Sequence, residues 1–191
     1  MVDLSNKPTI IGKKIILRPM KAADDFPYIE ECLNDAEVVK LTGSSPEYDR
    51  EEVFHWYNTR NEQTNRLDLA IVDKTTNVFV GEIVVNELDQ LHQSMNLRIL
   101  IGPRGRDRGF GTEATQLMVD YVLMNTVLNQ LTLSVFAFNP RARRVYEKVG
   151  FTMESIDKNQ LEYDGKQIDS INMKLTRENW LIKQNEKSAG R

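Results

Sequence analysis

The sequence predicts an α/β domain with a mixed, mostly antiparallel sheet flanked by helices, on three observations. First, β-rich runs alternate with helix-like stretches in the order βααβββαβαββ. Second, three β-rich runs follow one another between residues 67 and 101 with only short polar turns between them, the pattern of an antiparallel meander. Third, Asp164-Gly165 stands between the last two runs as the turn of a closing hairpin.

The elements follow in order. Residues 10–18 form a first strand around Ile15, Ile16 and Leu17. Pro19 follows, and Asp24 and Asp25 mark the first turn of a helix running to about Leu33. Pro46 and Asp49, with Glu52 three residues on, start a second helix that carries Val53, Phe54, Trp56 and Tyr57 and fades near Asn65. The meander is Leu67–Val72, Val78–Leu88 and Ser94–Ile101, with Lys74-Thr75-Thr76-Asn77 as its first turn. From Thr112 to about Val127, Ala114, Leu117, Met118, Tyr121 and Val122 recur at helical spacing. Leu131–Phe136 reads as a buried strand. The next helix is punctuated at both ends, by Asn139 as N-cap with Pro140 behind it and by Gly150 just past Val149. Strands near Phe151–Ile156 and Ile168–Leu175 close a single domain over residues 1–182, and 183–191 read as a frayed polar tail.

Composition excludes several classes. Of 191 residues, 25 are Lys or Arg and 28 are Asp or Glu, a net charge of −3. That argues against nucleic-acid binding and against a polybasic membrane anchor. No apolar run approaches the roughly 20 residues of a membrane span. The opening Met1-Val2-Asp3-Leu4 lacks an apolar h-region and lacks the Gly that myristoylation requires. One cysteine, Cys32, and two histidines, His55 and His92, cannot make a four-ligand Cys/His zinc site or an internal disulfide. No metal is expected, and the setting expected is cytoplasmic. Cys32 has no His near it in sequence and reads as a packing residue, not a nucleophile.

The most informative stretch is Gly102-Pro103-Arg104-Gly105-Arg106-Asp107-Arg108-Gly109-Phe110-Gly111-Thr112-Glu113-Ala114, between a strand and a helix. Gly109 and Gly111 let a ligand approach the backbone, and a helix start offers unpaired N–H groups and partial positive charge. Together they suit a phosphate or pyrophosphate. Arg104, Arg106 and Arg108 add charge-assisted donors to that expectation. A P-loop is excluded, since no Gly-Lys-[Ser/Thr] occurs. Gly109-x-Gly111-x-x-Ala114 fits a dinucleotide fingerprint, yet the next strand ends in Ala137-Phe138-Asn139 without the required carboxylate.

A third pattern, Arg106-x-x-Gly109-x-Gly111, resembles the acetyl-CoA loop of the GNAT-type N-acetyltransferase superfamily. Asn139-Pro140-Arg141-Ala142-Arg143-Arg144-Val145-Tyr146-Glu147-Lys148-Val149-Gly150-Phe151 is similar to that superfamily's second block, N-x-x-[AS]-x-x-x-Y-x-K-x-G-F. Leu17-Arg18-Pro19 and Glu113-Ala114 resemble most the ribosomal-protein N-terminal (Rim-type) acetyltransferase branch, and spermidine acetyltransferases share them. The resemblance implies a GNAT fold and direct acetyl transfer from acetyl-CoA, as co-substrate, to a primary amine. The acceptor is a protein N-terminal α-amine or a small-molecule amine. Other readings are a non-catalytic acetyl-CoA-binding module and a dinucleotide-binding protein. A dimer is common for such domains, and no residue pattern identifies an interface.

By the same resemblance, backbone N–H groups of Arg106, Asp107, Arg108, Gly109, Phe110, Gly111 and Thr112 cradle the pyrophosphate. Ile99, Leu100 and Ile101 splay from the neighbouring strand and pair with the pantetheine arm. Asn139 contacts the cofactor while capping its helix, Arg144 reaches its phosphates, and Tyr146 is the general acid. The base is Glu82, or Glu87 or Asp89 farther along that strand. Alternation puts Glu82 and Glu87 on opposite faces unless a bulge intervenes. Deprotonating a Lys-type amine with pKa ~10.4 costs about 4.6 kcal/mol at pH 7, against about 1.4 for an α-amine with pKa ~8. With no strong base legible, an α-amine acceptor is favoured.

Overall fold

The computed structural model describes residues 2–45 and 47–189. Pro46, offered above as part of a helix start, lies outside them, as do Met1, Gly190 and Arg191. Eight strands form one sheet in the order β1-β2-β3-β4-β5-β6-β8-β7. The N-terminal strand is broken into β1 (Ile10–Ile11) and β2 (Ile15–Pro19). The meander is β3 (Leu67–Asp73), β4 (Phe79–Asp89) and β5 (Ser94–Ile101). After α4 (Phe110–Asn125) and β6 (Gln130–Phe136), α5 (Pro140–Val149) leads into the hairpin β7 (Thr152–Tyr163) and β8 (Lys166–Thr176). The hairpin turn is Asp164-Gly165, with φ of 50° and 68°, the left-handed pair that a two-residue turn needs. Every strand pair is antiparallel except β5 with β6.

Helices cover both faces. Leu17, Leu69, Ile83, Leu97 and Leu131 point to a main core shared with Met118 and Val122 of α4 and with Val149 of α5. The opposite face carries Ala70, Val72 and Phe79 against α1 (Ala22–Leu33) and α3 (Arg50–Asn58). This is why β3 reads as one continuous buried run: Leu67-Asp68-Leu69-Ala70-Ile71-Val72-Asp73 is buried on both sides. Its charges need partners there, and Arg66 holds the Asp68 carboxylate through two hydrogen bonds of 2.7 Å. Arg18 likewise grips buried Asp25 at 2.6 and 2.8 Å, pinning β2 to α1.

Three helices depart from the sequence reading. Residues 36–42 form α2 (Ala36–Thr42), capped by the Asp35 side chain on the Val38 N–H and ended by Gly43. Seven residues are too few to show a period. Residues 183–189, expected as a frayed tail, continue α6 (Arg177–Ala189). Tertiary bonds hold it: the Arg177 guanidinium donates to the carbonyls of Leu123, Thr126 and Leu128, and Trp180 Nε1 donates to Asp120 at 2.7 Å. The α3 helix stops at Asn58, and residues 60–62 form a separate 3₁₀ turn short of the expected end near Asn65.

Candidate active site

The site begins where two parallel strands part. β5 pairs with β6 only through Ser94, Met95 and Asn96, opposite Gln130, Leu131 and Thr132. From Leu97 onward the β6-facing backbone groups of β5 have no strand partner, while β4 still pairs with β5 as far as Ile101. A cleft of about 680 Å³ opens in the gap. Ile99, Leu100 and Ile101 form one wall, and Ser134, Val135 and Phe136 of β6 form the other.

The glycine loop closes one end. Asp107 and Gly109 have φ of 58° and 80°, alternating left-handed turns that turn successive N–H groups toward one concavity. α4 then starts at Phe110 with no side-chain cap, and its first closing bond is Glu113 N–H to Gly109 O. Its first-turn donors are therefore available to a ligand. A Cβ on Gly111 would meet only Ile101 Cγ1, at an ordinary 3.6 Å. Packing does not require Gly there, and the space it leaves faces the cleft. Gly111→Ala should keep or raise the melting temperature, since Ala in a helix is favoured by about 0.5–1 kcal/mol over Gly. It should also raise KM for acetyl-CoA tenfold or more, and equal KM values would show that no phosphate sits at this position.

The loop arginines, expected as side-chain donors, are each engaged with a carboxylate of the scaffold. Arg104 is paired with Glu31 of α1 at 2.7 Å. Arg106 is paired with Asp35, the cap of α2, and with Glu37 at 3.3 Å. Arg108 reaches buried Asp73 at 2.8 Å, lies over the Phe110 ring at 4.3 Å, and is not among the cleft's walls. This pairing helps to fix the loop's shape, and Arg106 also lines the cleft with its Nε sealed and without a hydrogen-bond partner. Arg141 is also engaged, by Glu37 at 2.5 Å, and Arg143 by Glu147 at 2.8 Å. Among the described residues, Arg144 and Lys148, one turn apart on α5, line the cleft with side chains that no carboxylate pairs.

Asn139 Oδ1 accepts the Ala142 N–H at 3.1 Å, leaving its amide donors on the cleft. Tyr146 is 6 % exposed, lines the cleft and meets Phe151 edge-on at 6.1 Å. Burial pushes its hydroxyl up to about 12, so it keeps its proton.

Glu82 is not on the cleft wall. It sits one strand back, opposite Leu100, on the face beneath α1 and α3. The residue is half-buried overall, yet its Oε2 is sealed from solvent without a hydrogen-bond partner. Burial raises its carboxyl to about 7, and the Tyr57 hydroxyl that donates to it opposes the rise. Asn86 Oδ1, on the same face, is sealed and unpartnered too. The bulge that alternation demanded does exist: β4 shifts register between Asn86 and Asp89, Glu87 takes φ 55°, and Glu87 lines the cleft. Asp89 is held by His92 at 2.7 Å. The Cys32 thiol is buried and pushed up to about 12 by desolvation, as packing against Gly102 would have it.

Several walls were not read from the sequence. Val38, Leu41 and Thr42 of α2, and Asn96 and Arg98 of β5, also line the cleft. The only local signal for α2 was the Asp35 cap with Gly43 seven residues beyond Ala36.

Residues 14–152 match the Acetyltransferase (GNAT) domain. The chain belongs to the GNAT acetyltransferase family. Its members use acetyl-CoA as co-substrate, and this chain is accordingly an N-acetyltransferase acting on primary amines. The loop, the parted strands and the Tyr146 helix all lie within the matched segment. Spermidine N(1)-acetyltransferase of Escherichia coli (strain K12) is 25% identical over 173 residues, covering 86% of this chain and 87% of that protein. An N-acetyltransferase 9-like protein of Nematostella vectensis is 24% identical, covering 95% and 98%. The crystal structure of spermidine N-acetyltransferase from Vibrio cholerae in complex with CoA and spermine shares the fold, with a TM-score of 0.80 at 21% identity over 89% of this chain and 99% of that one. Among the described residues, no helix is long and apolar enough to cross a membrane.

Proposed function

We propose that the acceptor is a small-molecule polyamine, with Tyr146 as general acid and Glu82, acting through water, as general base. The observation that carries the transfer chemistry is the parting of β5 from β6, which leaves a strand edge unpaired in the cleft that the glycine loop and Tyr146 also line. Acetyl-CoA supplies an activated thioester. The N–H groups of residues 106–112 bind its diphosphate, the free backbone of Ile99–Ile101 pairs with its pantetheine arm, and the Asn139 amide and Arg144 add donors. Tyr146 holds a proton ready for the departing sulfur.

The preference for an α-amine rested on the lack of a base. A carboxyl raised to about 7 removes that reason, since it accepts a proton near neutral pH. The sealed, unpartnered Glu82 Oε2, opposite Leu100 of the cleft wall, calls for water, which would link Glu82 to the cleft. The naming of relatives as spermidine acetyltransferases supports a polyamine over a peptide N-terminus. The reading includes a cytoplasmic setting, where acetyl-CoA is at hand, and a homodimer, for which the exposed edge strand β7 offers unpaired backbone.

The test is thiol release from acetyl-CoA with a panel of polyamines, N-terminal peptides, amino acids and aminoglycosides. Polyamines should give the highest kcat/KM. Faster release with peptides would overturn the acceptor. Thermal stabilisation by acetyl-CoA without release for any amine would make the chain a binding module.

A further inference from the structure

We infer that the corner between Phe138 and Tyr163, beside the cleft, is a site for an acceptor's distal ammonium group, and that Lys40 is its built-in competitor. The Lys40 Nζ lies 5.6 Å from the centre of the Phe138 ring and 5.1 Å from that of Tyr163. Both distances are within the roughly 6 Å over which a ring face attracts a cation. The two ring centres are 5.9 Å apart with planes inclined at 59°, so they present two faces to one charge.

The corner adjoins the cleft on two sides. Phe136, a cleft wall, lies 5.7 Å from Phe138, centre to centre. Leu41, next to Lys40 on α2, is a wall as well. The acids nearest Lys40 on its own helix are spoken for, Asp35 by Arg106 and Glu37 by Arg106 and Arg141. Among the described residues, Lys40 itself has neither a hydrogen bond nor an ion pair, only the rings. A cation held by ring faces alone, with no counter-charge, can be exchanged for another of the same kind. The ligand class follows: an alkyl di- or polyammonium whose reacting amine enters the cleft while a second ammonium takes the corner. Two ammonium groups cannot share that corner, so the distal group enters as Lys40 leaves. Lys40 thereby sets how strongly dicationic acceptors are preferred over monocationic ones. The inference rests on the polyamine reading for the ligand's class, but its test does not depend on turnover.

Hexamethonium, a bis-quaternary alkylammonium, cannot be acetylated, so calorimetric titration reads the site alone. Lys40→Ala should bind it at least fivefold more tightly than the wild type. Adding Phe138→Leu to Lys40→Ala should cancel the gain, and Tyr163→Leu serves the same end should the first double variant melt early. No tightening in Lys40→Ala overturns the proposal. So does a gain that survives loss of either ring, which would reduce the effect to relief of charge repulsion. If hexamethonium behaves as expected while polyamines are not acetylated, the corner stands and the acceptor assignment falls; the opposite pair of results removes the corner and leaves the acceptor.

Discussion

Tyr146→Phe should lower kcat tenfold or more and leave KM for acetyl-CoA nearly unchanged, measured by steady-state thiol release. The substitution removes one hydroxyl and keeps the ring. Tyr146 is 6 % exposed and packs edge-on against Phe151, a contact that Phe preserves, so the melting temperature should hold. What disappears is a proton donor on the cleft. Desolvation raises that hydroxyl to about 12, well above the ~8.5 of a thiol. It therefore stays protonated across the working range and can pass its proton to the sulfur as negative charge develops there. A group that acts only as the bond breaks lowers kcat when lost, whereas one that merely holds the cofactor raises KM. An unchanged kcat would return Tyr146 to packing alone.

How legible this site was depends on how local each feature is. The α5 segment announces itself because Asn139, Pro140 and Gly150 act within one helix, and the structure uses Asn139 as the cap that its position implies. The phosphate loop is equally local, since the left-handed turns at Asp107 and Gly109 belong to the loop itself. The loop arginines show the limit. Three positive charges beside a glycine loop suggest phosphate, but their partners Glu31, Asp35 and Asp73 lie 73, 71 and 35 residues away, and only the fold brings them near. The tail was misjudged for the same reason. Residues 183–189 look polar and uncapped, while the bonds that order α6 run to α4 and the segment after it. Alternation correctly put Glu82 and Glu87 on opposite faces of a regular strand, but the bulge that brings Glu87 to the cleft, and the cover that α1 and α3 place over Glu82, are tertiary facts.

Glu82→Gln separates the chemistry of this buried carboxyl from its effect on folding. As the base, Glu82 works only when ionised. With a carboxyl near 7, kcat/KM in the wild type should climb as pH rises through 7. Glu82→Gln should lose that ascending limb and fall tenfold or more at pH 8. Stability should move the other way. The carboxyl rises from 4.5 in the unfolded chain to about 7 in the folded one. Between those values the folded state binds more protons, so the wild type loses stability as pH rises from about 4.5 to 7 and stays at the lower level beyond. The 2.5 units between them correspond to at most about 3 kcal/mol. Gln cannot ionise, and its carbonyl still accepts from the Tyr57 hydroxyl, so the variant avoids that loss. Urea unfolding should therefore show Glu82→Gln gaining on the wild type between pH 5 and pH 8 while its activity drops. A flat difference in stability would mean that the carboxyl is better hydrated than its sealed oxygen implies. A stability gain with the pH–rate profile intact would keep the burial and take the proton away from Glu82, leaving Glu87, the carboxylate that the bulge turns into the cleft, as the group to replace next.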